Sequence, residues 1–446
     1  MRSSCKVVGS AHNQSRETGL ILGVSMALRI SSRSWPLLSG LISIGLAAPH
    51  VLAQTLPDYT PMDRIPAEVG LPDPCDNPTT RMWGSDDEVG NLNYLTPERV
   101  RDNLSLIRLG TAYELGHLLE PGQMGFSAYL DFKSNLGEWP GRDASHTIFN
   151  NEETLGNSTF NRDRAGVMQF ELGTQLDGFN HVTQEGITYN CFDTRNPVDH
   201  YYPEGDSGDL PRGNPGSDYI FRGYKKLGIE NVRTIVARAV LIDVGQLLRD
   251  REAVAGRDPE QFPPANYEFT PEELEQALIR QGLTVDDIHP GDALLIRTGW
   301  SARFWTANPV DPRNERVRYL NRGQDDFLPG GPGIDARAIQ WTINRMPVLV
   351  GGDSKTIENS NPTDPTRAVP VERPGHVSWL NSGIYMLEDL DLEVLAADCE
   401  RERAASVAAN GAPSLPEQSC YISTIVIQTT PVRGSGGSTV SPTVFR

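Results

Sequence analysis

Cysteine is scarce, with five residues in a chain of 446. No CxxC pair and no cysteine–histidine finger spacing occurs, which excludes a structural zinc module. GxSxG is missing: Gly352-Asp353-Ser354-Lys355-Thr356 lacks the second glycine, which argues against a serine α/β-hydrolase. Neither GxGxxG nor a P-loop is present, so a nucleotide cofactor has no support. Beyond residue 53 there is no apolar run of the roughly 18 residues that a membrane-spanning helix needs. Positive charge is also short, 40 Lys and Arg against 58 Asp and Glu, for a net charge of −18. That balance repels phosphate backbones and anionic lipid, so nucleic acid and membrane surfaces are not expected partners. A small-molecule substrate remains, and the sign of the charge does not name it.

What is present begins with a targeting signal. Arg29 and Arg33 precede an apolar run from Leu37 to Ala48, and Val51-Leu52-Ala53 offers small residues for cleavage before Gln54. Residues 1–53 are therefore expected to direct secretion to the periplasm or beyond, with Met26 a possible true start. Residues 54–80, rich in Pro and Asp, read as an extended arm, and 81–446 as one catalytic domain. Cleavage removes Cys5 and leaves Cys75, Cys191, Cys399 and Cys420, which allow three pairings. Proximity favours Cys399 with Cys420, leaving Cys75 with Cys191; buried free thiols are an equal alternative, because a chain this long does not need staples.

Helix and strand signals alternate along the domain. Thr96-Pro97 and Thr270-Pro271 open helices, the second with Glu273 completing a capping box and Leu274, Leu278 and Ile279 as its apolar stripe. Residues 335–345 read as another helix. Strands are expected at 113–119, 234–244, 292–298, 347–351 and 420–429, with 387–397 a strand leading into a turn. Residues 121–162 read as mostly loop and 197–223 as another turn-rich loop, and Gly and Ser near Gly434 as a tail. The sum is an α/β architecture with a mixed sheet and long loop insertions.

The segment from Glu171 to His181 carries the chemistry. Glu171, Gln175, Asp177 and His181 share one parity, so on an extended chain Glu171, Gln175 and Asp177 project together as three oxygen ligands. His181 lies just beyond, able to take a proton from water. A polar, solvent-facing strand is the plainer alternative for this segment alone. His117, His146, His200 and His289 lack a spaced partner and read as structural or exposed; Arg297 and Trp300 read first as packing residues.

The same segment resembles the motif His-x-Gly-Thr-His-x-Asp-x-Pro-x-His of the cyclase family, which includes bacterial kynurenine formamidase and isatin hydrolase. Gly173, Thr174, Asp177 and His181 fit it; Glu171 and Gln175 stand where the family has histidines, and Phe179 where it has proline. Val240 to Val244, Pro290 to Trp300, Pro332-Gly333-Ile334, Leu349 to Asp353, His376, and Leu387-Glu388-Asp389-Leu390 follow in family order, so the resemblance covers about residues 80–430.

The resemblance implies a swivelling β/β/α fold, a homo-oligomer and a divalent metal. Carried over, one site is Glu171, Gln175, Asp177 and Glu388, a second is Asp177, His376 and Glu388, and His181 is the catalytic base. Oxygen ligands in place of imidazole favour manganese or magnesium over zinc. The activity implied is hydrolysis of an amide or cyclic amide C–N bond, arylformamidase-like, although an exported protein fits poorly with tryptophan and kynurenine breakdown inside the cell. A non-catalytic binding protein on this fold, and a lyase or isomerase using the same metal and base, are the competing expectations.

Overall fold

The near-continuous β-branched stretch from Ile235 to Asp243 forms the longest strand of the main sheet, almost fully buried. A strand covered on both faces can be apolar throughout; this one lies between one parallel and one antiparallel neighbour. The sheet is built from β1 (Ala112–Glu114), β2 (Gln175–Asp177), β3 (Ile235–Asp243), β4 (Ala293–Arg297), β5 (Leu349–Gly352), β6 (Tyr385–Glu388), β7 (Ile422–Ile427), β8 (Gly437–Thr439) and β9 (Thr443–Phe445). Their spatial order is β1-β9-β7-β3-β4-β5-β6-β2-β8. The four middle strands β3 to β6 run parallel. Those outside pair antiparallel, β7 on β3 and β2 on β6. This is the mixed α/β sheet the sequence implied.

This computed structural model describes residues 82–117, 148–155, 158–165, 173–184, 186–193, 224–259, 263–264, 266–301, 305–306, 317–318, 331–354, 356–359 and 374–446, together with Cys75. The leader, nearly all of the 54–80 arm, Glu171, His146, His200 and the 197–223 loop lie outside the described residues. All described residues belong to the unit 57–446.

Among the described residues, six α-helices of eight or more residues accompany the sheet: α1 (Pro97–Leu104), α2 (Val244–Val254), α3 (Pro271–Arg280), α4 (Ala336–Ile343), α5 (Pro374–Asn381) and α6 (Glu393–Asn410). Their starts follow the cap signals. Thr96 accepts the Arg99 N–H. Thr270 and Glu273 exchange both bonds of a capping box. The stripe of α3 is Leu274, Ala277 and Leu278; Ile279 is 67% exposed, because it falls about 140° around the helix from Leu274.

Three further expectations need correction and one gains detail. Residues 148–155 pair with 158–165 as an antiparallel hairpin, within and just past the stretch expected to be mostly loop. The 113–119 strand is shortened to Ala112–Glu114. The 387–397 segment is strand only to Glu388, after which α6 runs for 18 residues. Alanine, glutamate and arginine give that helix its propensity without a sustained apolar stripe, so periodicity does not announce it. The Gly/Ser tail supplies β8 and β9. Both expected disulfides are formed: Cys399–Cys420 ties α6 to the start of β7, and Cys75–Cys191 closes the other pair. Among the described residues no helix is long and apolar enough to cross a membrane.

Candidate metal centre

Strand β2 sets the site. Gln175 faces Glu388 across the antiparallel pair with β6, and Asp177 faces Met386. On its other edge β2 pairs with β8, Gly437 opposite Asp177 and Thr439 opposite Gln175. Gln175 and Asp177 are two apart and share a face, while Leu176 points the opposite way into the core. The shared parity stops there. After Asp177 the chain leaves the strand: the Gly178 N–H donates to Gly436 O at 2.7 Å, and the His181 N–H donates back to Gly178 O at 3.0 Å. His181 reaches the site through this turn, not along an extended strand.

Glu388 ends β6, at the carboxyl end of the parallel strands, where open α/β sheets place their ligands. His376 comes from α5, and Glu358 from the segment after β5. His376 Nε2 lies 3.2 Å from Glu388 Oε1 and 3.9 Å from Asp177 Oδ2. His376 Nδ1 lies 2.6 Å from Glu358 Oε1. His181 Nε2 is 3.8 Å from Asp177 Oδ2, and its side chain is 24% exposed against 4% for His376.

Among the described residues, two groups have donor atoms that all lie within 4.8 Å of one another inside the group: Asp177 with His181 and His376, and Glu358 with His376 and Glu388. The expected trio of Asp177, His376 and Glu388 is thus divided between two groups that share His376. Gln175 explains the division. Its Nε2 donates to Glu388 Oε2 at 3.0 Å and lies 3.5 Å from Asp177 Oδ1, so the amide stands between the two carboxylates. With its nitrogen turned to them, Gln175 is a hydrogen-bond donor to Glu388 here.

The donors fit a cation. Asp177, Glu358 and Glu388 are at most 1% exposed, and three carboxylates this close oppose one another's ionisation unless positive charge joins them. His376 is one such charge. Burial alone lowers its pKa, but the neighbouring Glu358 and Glu388 carboxylates outweigh burial and push it up to about 10. Glu358 Oε2 is buried with no hydrogen-bond partner. A carboxylate on the far nitrogen of a histidine fixes the ring so that Nε2 faces a metal, an arrangement common around ligating histidines.

Glu358 had no part in the sequence reading. The one signal for it was an acidic residue shortly after a buried strand at the ligand-binding end of the sheet. Arg297, by contrast, is spent inside the fold on Asp243 and Glu393. Asp353 accepts from the Thr298 and Gly299 N–H groups; burial, with Glu393 adding and Arg297 opposing, pushes it up to about 6. His117 is buried 3.8 Å from Asp389, the residue after Glu388.

A family model with the description "Putative cyclase" matches residues 113–359, more than half of the chain. The chain belongs to the cyclase family. The matched span of this cyclase contains Asp177, His181 and Glu358, and ends before His376 and Glu388. No curated protein matches it. Among solved structures, one described as a novel cyclase is 24% identical with a TM-score of 0.53, over 82% of this chain and 98% of that one, a likeness of fold. Isatin hydrolase A from Ralstonia solanacearum is 18% identical with a TM-score of 0.40, over 78% and 98% of the two chains. Isatin hydrolase A from Labrenzia aggregata bound to benzyl benzoate is 16% identical with a TM-score of 0.41, over 78% and 97%.

Proposed function

We propose that this cyclase is a metal-dependent hydrolase that opens an amide or cyclic amide, such as an N-formyl aryl amine or a lactam. The observation that carries the reading is the convergence of Asp177, His181 and His376 on one space, backed by the buried carboxylates of Glu358 and Glu388. Asp177 and His376 would hold a divalent cation, manganese, magnesium or zinc, with Glu388 beside it; such an ion polarises a carbonyl and acidifies water. Glu358 holds the His376 ring by Nδ1. Gln175 holds Glu388 and faces Asp177. His181, the most exposed member of the cluster, takes the proton of the attacking water at Nε2 and returns a proton to the leaving nitrogen. The products are a carboxylic acid and an amine, joined in one molecule when a ring is opened.

Metal analysis of the purified protein tests this first. One divalent ion per chain, lost in Asp177→Asn together with hydrolysis of formanilides or lactams, is the expected result. The turned amide of Gln175 favours a second reading, a non-catalytic binding protein, and a chain without stoichiometric metal would establish it. A lyase or isomerase would yield an eliminated or rearranged product in place of the acid and amine. The same proposal includes export with cleavage before Gln54, supported by two disulfides, and assembly as a homo-oligomer. N-terminal sequencing and light scattering test those parts.

A further inference from the structure

Strand β6 ends on Glu388, and the next residue bends the chain away. Asp389 has a φ of 55° and is 1% exposed. The left-handed region is costly for a residue with a Cβ, and such outliers gather where a site must be held in shape. Asp389 carries that cost next to a residue of the candidate metal centre. We infer that Asp389 is a positioning residue: its left-handed backbone, locked by Thr174 and His117, aims the Glu388 carboxylate at His376 and Gln175.

Three contacts hold the conformation. The Asp389 N–H donates to Ser354 O at 3.2 Å. The Asp389 carbonyl accepts the Thr174 hydroxyl at 2.6 Å, and the same hydroxyl oxygen accepts the His117 N–H at 3.0 Å. The His117 ring in turn faces the Asp389 carboxylate, Nε2 3.8 Å from Oδ1, with each side chain 2% exposed. Thr174 directly precedes Gln175, which faces Glu388 across the β2–β6 pair. The hydroxyl therefore ties the two strands one step beyond their last paired residues. The bend is needed because the chain leaves β2 at that point. The Leu390 N–H donates to Gly352 O at 3.0 Å and the Asp391 N–H to Leu115 O at 2.9 Å, at the ends of β5 and β1. An extended residue at 389 would continue along β2 and forgo these bonds. Glu388 is thus the last residue with strand geometry, on the face it shares with Gln175 and Asp177. Its carboxylate is met at both oxygens: Oε1 lies 3.2 Å from His376 Nε2, and Oε2 accepts from Gln175 Nε2 at 3.0 Å. That Glu388 serves a metal rests on the hydrolase reading, whereas the aim of its carboxylate does not.

Variants at 389 separate backbone from side chain. Asp389→Gly and Asp389→Asn keep ready access to the left-handed region, and Asp389→Ala does not. Calorimetric titration of the whole mature protein with manganese or zinc should find the first two within about threefold of the wild type and Asp389→Ala about 10–100-fold weaker, the range for loss of a group that supports a metal ligand. In the metal-free protein the His376 ring signals of a histidine-labelled sample should move in Asp389→Ala and hold their place in Asp389→Gly, because the ring lies 3.2 Å from Glu388. Thr174→Val removes the hydroxyl and should act like Asp389→Ala, while Thr174→Ser should restore the wild-type values. A lower melting temperature in Asp389→Ala with metal affinity and His376 signals unchanged would make the role merely structural and overturn the inference. Equal losses in all three variants at 389 would overturn it too. If Asp389→Ala does not fold, the two Thr174 variants decide. A wild type that binds neither ion would defeat the metal-dependent reading, and the His376 signals would then decide the positioning role alone.

Discussion

The Nδ1 atom of His376 lies 2.6 Å from Oε1 of Glu358, while Nε2 of the same ring faces Asp177 and Glu388. The carboxylate therefore fixes which nitrogen is offered to the site. Glu358→Gln keeps the size and removes the charge. Metal affinity is expected to fall about 10–100-fold with the fold retained, as read by metal titration and circular dichroism. Unchanged affinity would show that the contact does not orient the ring.

His181 and Asp177 are expected to separate in their variants. His181→Ala should lower turnover by about 10²–10⁴ and leave bound metal nearly intact, if the ring acts as a base. Asp177→Ala should lose metal and activity together. Metal stoichiometry, melting temperature and turnover on both variants decide the matter. Loss of metal in His181→Ala would instead make His181 a ligand, which its place in the donor group permits.

Gly436 holds the turn that carries His181 by accepting from the Gly178 N–H at 2.7 Å. A Cβ at 436 would meet His181 Cα at 3.1 Å. Gly436→Ala is expected to reduce kcat by about tenfold or more, since small misplacements of catalytic groups cost up to roughly 10²-fold, with little change in melting temperature. Wild-type turnover in this variant would mean that the turn yields without moving His181.

Glu400 joins α6 to α3 through Arg280, with Arg403 on the same carboxylate. Burial raises its pKa, but the two guanidinium groups outweigh burial and lower it to about 2. The folded value lies below the unfolded one of about 4.3, so the stability it contributes is present above that pH and is lost as pH falls towards about 2. The difference in melting temperature between wild type and Glu400→Gln should be largest near neutrality and close across that interval. A difference that persists at pH 2 would assign the effect to packing.

Removing residues 434–446 deletes β8 and β9, leaving β2 without one of its two partners. The truncated chain is expected to lose metal binding and to unfold at lower denaturant. A truncated protein with full metal content would show that β6 alone holds Asp177 in place.

The sequence by itself determined the elements whose signals are local. Apolar runs became β3 and β4, and Thr-Pro caps began α1 and α3, because burial and capping act within a few residues. The order of motifs also singled out Asp177, His181, His376 and Glu388, which the fold brings within a few ångströms of one another or of a shared neighbour. Tertiary structure alone decided the rest. Glu358 meets His376 only because the segment after β5 lies against α5, a relation with no period or spacing to read. Gln175 became a donor because Glu388, 213 residues away, lies opposite it, and two carboxylates turn an amide nitrogen towards themselves. The tail near Gly434 became part of the sheet because β2 has a second edge to pair, and an unpaired edge is satisfied by whichever segment the fold delivers there.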